Sequence, residues 1–505
     1  MKKSLFRLFI FYLLSTICVS SVFSQEKEQI IIKNSDALLG GSKIGEGVRR
    51  FIGNVIFEHN KATMYCDSAY LYSQQNLIHA FNNVHVSRGD TMHMYGDFML
   101  YNGNTSIGNV RNNIRLEDEE TVLYTDSLDF NTFTNIINYF DGGRIVNSDS
   151  SELISDHGYY FGDEDLFIYK DSVVVTSPDY TIYTDSLRYN TKTKIMYFIG
   201  PTNIYSGDNH IYAEKGWYKT NEKKYKFRQN ARYQNKEKIL IGDILYFDQL
   251  NGIGIANDNI EMIDTVENLI LKGNYAYYTE EPESFFITDS ALLIHISEDS
   301  DSLFLHADTI SSISIIDSID TYRILKAFHK VKMFRSDFQG RCDSMVYNTR
   351  DSIVTMFTEP IIWSEGSQMT AQKVEIYIEK EKIDRFKLIN TAFIVSQEEL
   401  DTANYNQIKG KEMTGYIRNN ELKKIDVVGN GQTIYYTEDG SGVNAAESSN
   451  LIIYMKNGQV GRINMVNDPE GVLYPLNELE ETKLKGFQWL ERLRPKKKED
   501  IFNTN

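Results

Sequence analysis

Proline is nearly missing, with seven residues in 505 where an average chain carries about 5%. That scarcity leaves little room for Pro-rich linkers and favours one continuous body. Cysteine is as sparse, at three, and no CxxC pair is present, so neither a redox motif nor a thiolate metal cluster is encoded. HExxH, GxSxG and P-loop signatures are absent, and nine scattered histidines show no ligand spacing. No metal and no cofactor are expected. Excess positive charge is lacking too: the formal charge is −17, which excludes a broad affinity for nucleic acid while leaving room for a local basic patch.

The first 24 residues read as an export signal. Lys2, Lys3 and Arg7 precede a largely apolar run from Leu8 to Val22, and Val22-Phe23-Ser24 offers a cleavage site before Gln25. The run is shorter than the roughly 20 residues a spanning helix needs. Cys18 lies inside it without a small-residue lead-in, so lipidation there is not expected. Cleavage removes three cations and takes the charge from −17 to −20. Only Cys66 and Cys342 remain in the exported chain.

What is abundant is repetition. Met64-Tyr-Cys-Asp-Ser, Leu123-Tyr-Thr-Asp-Ser and Ile182-Tyr-Thr-Asp-Ser are copies of one phrase, with Met94-Tyr-Gly-Asp and Leu153-Ile-Ser-Asp between them. The acidic slot falls at Asp36, Asp67, Asp97, Asp126, Asp156, Asp185, Glu214, Asp243 and Asn274, in steps of 29 to 31 residues. It continues less evenly at Asp308, Asp343, Gln372, Glu412 and Glu447. About 14 copies of a unit of ~30 residues would fill 25–475. A second marker, Asn before an alternating strand, runs in phase: Asn54, Asn83, Asn113, Asn203, Asn259. Period-two alternation rich in aromatic and β-branched residues, 33 Tyr and 27 Phe among them, predicts an all-β chain.

The phase of the alternation adds a corner. Position −3 from the slot is apolar (Met64, Met94, Leu123, Leu153, Ile182, Ile211, Leu240), and −1 is small. Positions +2 and +4 are often apolar (Leu128, Phe130; Leu187, Tyr189; Leu245, Phe247). One face of a strand cannot hold both −1 and +2 unless the phase slips by a residue. A bulge or bend at the Asp-Ser step is therefore expected, folding each long strand from one sheet onto another. Asp67, Asp97, Asp126, Asp156, Asp185 and Asp243 would serve as short polar corner residues that bond local backbone. A calcium array or a carboxylate pair of a polysaccharide-active β-helix enzyme is the competing reading. The slot's tolerance of Asn274 and Gln372 favours the corner. An apolar face of this kind serves a dry packed core and a lipid-sheltering trough alike, so a non-lipid β-solenoid scaffold stays open.

Beyond 475 the pattern changes. Leu476, Leu479, Leu484, Phe487, Leu490 and Leu493 space as one stripe of a short C-terminal helix, stopped by Pro495 and followed by Lys496-Lys497-Lys498. A helical cap and basic tail over 476–505 is the expectation.

The phrases Gly53-Asn54-Val55 with Asp67-Ser68-Ala69-Tyr70, and Asn83-Val84-His85-Val86 with Asp97 and Tyr101, resemble the LptA/OstA family of lipopolysaccharide-transport proteins. The resemblance runs from about Ile30 to Tyr454. It implies an elongated bent β-jellyroll, or β-taco, whose apolar interior shelters acyl chains without catalysis. It further implies a periplasmic location and lipopolysaccharide as partner. Inner- and outer-membrane transport components would join by end-to-end strand pairing. The −3, +2 and +4 residues named above would line the trough.

Overall fold

In the computed structural model the described residues run from 28 to 503, except 42–43, 90–91, 298–300, 381, 399–402, 420, 438–439, 457–458, 477 and 479–480. The expected export signal, residues 1–24, and Leu479 lie outside them. The described chain is almost wholly antiparallel strand, joined by hairpins of a few residues. It divides into two compact units, one of residues 1–178 with 186–192, the other of 179–185 with 193–505.

In the first unit the strands Val48–His59, Ala62–Tyr72, Leu77–Arg88, Met92–Asn102, Ile107–Glu117 and Thr121–Asn131 pair in sequence order. Each has a corner near its middle and therefore two arms. On one arm Phe57, Met64, Val86, Met94, Leu116 and Leu123 oppose one another in turn. On the other, Ala69, Ala80, Met99, Val110, Leu128 and Tyr139 do the same. Both rows face inward, and most of their members are buried. The walls meet across the fold: Phe51 lies edge-on to Phe57 at 5.6 Å between centroids, and Tyr139 shares a 2.6 Å hydrogen bond with Ser155.

The corner has a defined chemistry. Burial along Ala62–Tyr72 changes phase between Cys66 and Ala69, at the Asp67-Ser68 step. The extra residue, however, sits on the neighbouring strands and not at Asp-Ser. Asn82 and Asn83 both take positive φ, 61° and 46°, and the pair opposes the single residue Asp97 on the next strand. Gly53-Asn54, Asn112-Asn113, Gln229-Asn230, Asp258-Asn259, Asn390-Thr391 and Gly429-Asn430 repeat this. Left-handed backbone is the region that Asn, Asp and Gly tolerate best, which is why the second sequence marker is Asn. At −1 the inside of the bend is crowded. A Cβ on Gly96 would come within 2.6 Å of Val110 Cγ1.

The second unit repeats the scheme through Gln459–Val466 and Glu470–Tyr474. Its register corrects two slots: Lys411, not Glu412, opposes Asn390-Thr391, and Ser449, not Glu447, opposes Gly429-Asn430. The C-terminal segment departs further from expectation. Its described residues form no continuous helix, only the short 3-10 turns Glu491–Leu493 and Lys498–Phe502. The remainder is an extended strap laid on the outside of one wall. Gln407 donates to the Thr482 carbonyl (2.9 Å) and accepts from the Leu484 amide (2.8 Å). Gln368 does the same with Gln488 and Leu490, at 2.8 and 2.6 Å. Two bonds to residues i and i+2 are what a strand edge offers, so the glutamines hold the backbone extended and override the helical spacing. Gly486, with φ of 94°, breaks the remaining helical run. The apolar stripe is still used: Leu484 packs on Ile434, Tyr436 and Val443, and Phe487 and Trp489 pack on Tyr405. Lys332 reaches the Asn503 carbonyl.

Because the side-chain amide of buried Gln368 uses both its N–H and its oxygen to hold the strap, Gln368→Ala is expected to destabilise this unit by about 1–3 kcal/mol. Urea unfolding followed by circular dichroism checks this; an unchanged midpoint would mean that the strap is loosely held.

Candidate functional site

The acidic slots form a ladder along the outside of the corners. Asn54, Asn83, Asn113 and Asn259 each donate from Nδ2 to the carboxylate one slot back, Asp36, Asp67, Asp97 and Asp243, at 2.6 to 2.9 Å. Asn230 does so to Glu214 at 2.7 Å. Where the Asn is replaced by Lys330, its Nζ reaches Asp308 at 3.4 Å. Asn113 also donates to the other side, its backbone N–H bonding Asp126 Oδ1 at 3.1 Å. Asp185 lies against Gly200, and the Asp156 carbonyl accepts from the Gly142 N–H. Slot carboxylates recur on alternate strands, about 10 Å apart; Asn274, Gln372, Lys411 and Ser449 interrupt the series, and Asp171, Asp258 and Asp289 stand on strands between. Among the described residues no group of three or more His, Cys, Asp and Glu side chains is placed to hold a metal ion. The ladder ties neighbouring bends together.

The inner face is where a ligand could enter, and it differs along the chain. Leu128, Leu187 and Leu245 are closed, at 0, 1 and 0% exposure. Met64, Met94, Leu123, Leu153 and Ile182 are buried as well, whereas Phe130, Tyr189, Ile211, Leu240 and Phe247 are half-buried. In the first unit the segment after the export signal lies over the strand ends. The Ile30 N–H donates to Asn76 Oδ1 at 3.0 Å, and Asn76 Nδ2 donates to the Glu28 carbonyl at 3.2 Å. His59 bonds Tyr101 across the two arms at 2.8 Å.

An open space is present in the second unit, among residues that sequence reasoning did not single out. A cavity of about 700 Å³ lies between Ile362, Met369, Ile394 and Ile408 on one wall and Ile376, Phe386, Ile425 and Ile453 on the other. Its size falls within the range of small-molecule sites, roughly 300–1,000 Å³. Polar residues at strand ends, Ser364, Glu365, Ser367, Glu398 and Asn406, line it as well. Ile383, Ile417, Leu422, Met455, Val460 and Ile463 sit near hairpin ends, line the cavity and are only half-buried. Ile417 faces Leu422, and Met455 faces Val460, across their hairpins. Trp489, Glu491 and Arg494 of the strap reach its edge. The signal that could have located it is the same −3 and +4 rule: Met369 and Ile376 flank the slot at Gln372. With the register-corrected slot at Lys411, Ile408 falls at −3. Uneven spacing hid the rule there.

The two cysteines occupy the small −1 position of their corners. Both are free and buried. Burial pushes each thiol up to about 12 from its ordinary value of 9.0.

Residues 27–185 match the family model described as OstA-like protein. That stretch is OstA-like, as the repeat phrases indicated. No curated protein matches the chain. Among solved structures, the chain is similar to LptH, the LptA-homologous periplasmic component of the lipopolysaccharide transport device of Pseudomonas aeruginosa. Identity is 11%, coverage is 28% of this chain and 99% of that one, and the TM-score is 0.23.

The raised thiols give a pH expectation. The folded state keeps protons that the unfolded chain loses above pH 9, so this contribution to stability is whole below pH 9. It is lost as pH rises toward 12. At pH 8 the folded, exported chain should show no reaction with a chromogenic disulfide reagent, and two thiols should react in denaturant; a thiol reacting in the folded state would contradict the placement of Cys66 or Cys342.

Proposed function

We propose that this chain is a non-enzymatic periplasmic carrier of lipopolysaccharide, sheltering acyl chains between its two apolar walls on the way from inner to outer membrane. Each buried CH₂ is worth about 0.8 kcal/mol, so a multi-acyl lipid needs continuous cover in water. The carrying observation is the cavity of about 700 Å³ in the second unit, where aliphatic side chains of two walls face each other and polar groups such as Glu365, Glu398 and Asn406 share the lining. The OstA-like match over 27–185 supports the same reading. Met64, Met94, Leu123, Leu128, Phe130, Leu153, Ile182, Leu187, Tyr189, Ile211, Leu240, Leu245 and Phe247 would extend the apolar path. The closed ones among them would have to part to admit a chain.

The first and last strands supply the means of joining partners of the same fold. Ile31, Leu38 and Leu39 are exposed in the opening strands, and Met465, Val466, Val472 and Leu473 in the closing ones. Exposed apolar residues on edge strands invite another strand. Inner- and outer-membrane transport components are the partners this reading gives them. A non-lipid scaffold is favoured by one observation, the complete closure around Leu128, Leu187 and Leu245. The two readings part at the cavity.

A photoreactive benzoylphenylalanine at Ile417 or Ile463 should yield lipopolysaccharide adducts in illuminated cells, while the same residue at exposed Lys61 should not. Normal levels of folded protein with no adduct at either cavity position would leave the scaffold reading in its place.

A further inference from the structure

The chain as a whole is acidic, yet residues 215–228 hold six cations, Lys215, Lys219, Lys223, Lys224, Lys226 and Arg228, against the single acid Glu222. They fall on the strands Asn209–Lys219 and Lys224–Gln234 and the turn between. The register decides which face they occupy. Phe198, Gly216, Phe227 and Leu245 oppose one another in turn as the inner row, and Phe198, Phe227 and Leu245 are buried. The alternate residues therefore point out. One outer row reads Ile199, Lys215, Arg228, Ile244; the next reads Tyr197, Trp217, Lys226, Tyr246. No acid stands in either row.

Three features set this face apart. Lys219 and Lys224 are neutralised by Glu222, and Lys224 also by Asp248. Among the described residues no carboxylate pairs with Lys215, Lys226 or Arg228. Lys215 directly opposes Arg228, and like charges facing across a sheet cost stability. The fold gains nothing from them. Exposed apolar groups stand in the same rows, with Tyr197 at 44% and Ile199 at 38% exposure. Ile199 directly opposes Lys215, and Trp217 stands between Tyr197 and Lys226, its ring 6.5 Å from that of Tyr246.

Cations that lack partners, set among Trp, Tyr and Ile on one flat wall, have the chemistry of a membrane-interface surface. The amphipathic rings settle at headgroup level, and the lysines and arginine meet phosphates. The geometry points to the outer wall around Lys215, Trp217, Lys226 and Arg228 as a docking face for an anionic phospholipid bilayer. A soluble polyanion would use the charges but has no need of exposed Ile199 and Tyr197. This face lies outside the walls and does not depend on lipid being held between them. Adduct formation at Ile417 can fail while docking holds, and the reverse.

Vesicle sedimentation tests it on the full exported chain. With vesicles of 70% phosphatidylcholine and 30% phosphatidylglycerol at low salt the protein should pellet, and with pure phosphatidylcholine it should stay in solution. The K215E/K226E/R228E variant should bind the anionic vesicles at least tenfold more weakly. A control with the same change in net charge at exposed sites elsewhere, K61E/K380E/K485E, should stay within twofold, both variants having wild-type circular dichroism. Trp217→Ala tests the apolar part and should weaken binding several-fold even where salt screens the charges. No preference for the anionic vesicles, or equal losses in the patch and control variants, overturns the proposal. So does preferential binding of polygalacturonate, which would make the face a glycan site.

Discussion

Two consecutive residues held in left-handed backbone, opposite a single residue on the next strand, are the constraint from which the rest of this molecule follows. Such a pair costs free energy for most side chains. It recurs at Asn82-Asn83, Asn112-Asn113, Asp258-Asn259 and their counterparts. The cost is met locally, by residues that tolerate the region and by the Asn-to-carboxylate bonds joining each bend to its neighbour. Repeating the bend on adjoining strands gives each unit two walls, with an inner face that the alternation keeps apolar.

Once the bend is fixed, side-chain volume sets whether the walls touch. A small residue is required at −1, where Gly96, Ala213 and the two cysteines sit. Farther out, aromatic and aliphatic residues either meet across the gap, as Phe51 meets Phe57, or leave it open. In the second unit the facing residues are isoleucines with a methionine and a phenylalanine, and a cavity of about 700 Å³ remains. The strap stiffens the outside of that unit. Gln368 and Gln407 act as a side-chain continuation of the sheet, and the wall they cover keeps its apolar residues dry.

Much of this was legible in the residues. The Asp phrase recurs at residues that oppose left-handed pairs, Asp67, Asp97, Asp126 and Asp243 among them, since the period is set by two hairpinned strands and their turns. The Asn marker held the other half of the information. The bulge was assigned to the Asp-Ser step because the phase of burial does change there. The extra residue is on the adjoining strand, and single-strand periodicity carries no register. Uneven spacing points to Glu412 and Glu447, whereas Lys411 and Ser449 are the residues that oppose the left-handed pairs. The C-terminal stripe was read as a helix because side chains on other strands, Gln368 and Gln407, decide its backbone. The apolar pattern is the same for a dry core and an open trough, so the cavity could be found only from the three-dimensional packing.

Thermal unfolding of two double variants tests the central constraint most directly. Asn82→Gly with Asn83→Gly keeps left-handed backbone accessible and removes only the bond to Asp67. Asn82→Val with Asn83→Val makes that backbone strained for both residues. The account predicts a midpoint within a few degrees of wild type for the glycine pair and a drop several times larger for the valine pair. Equal midpoints for the two would show that the bend does not depend on left-handed residues.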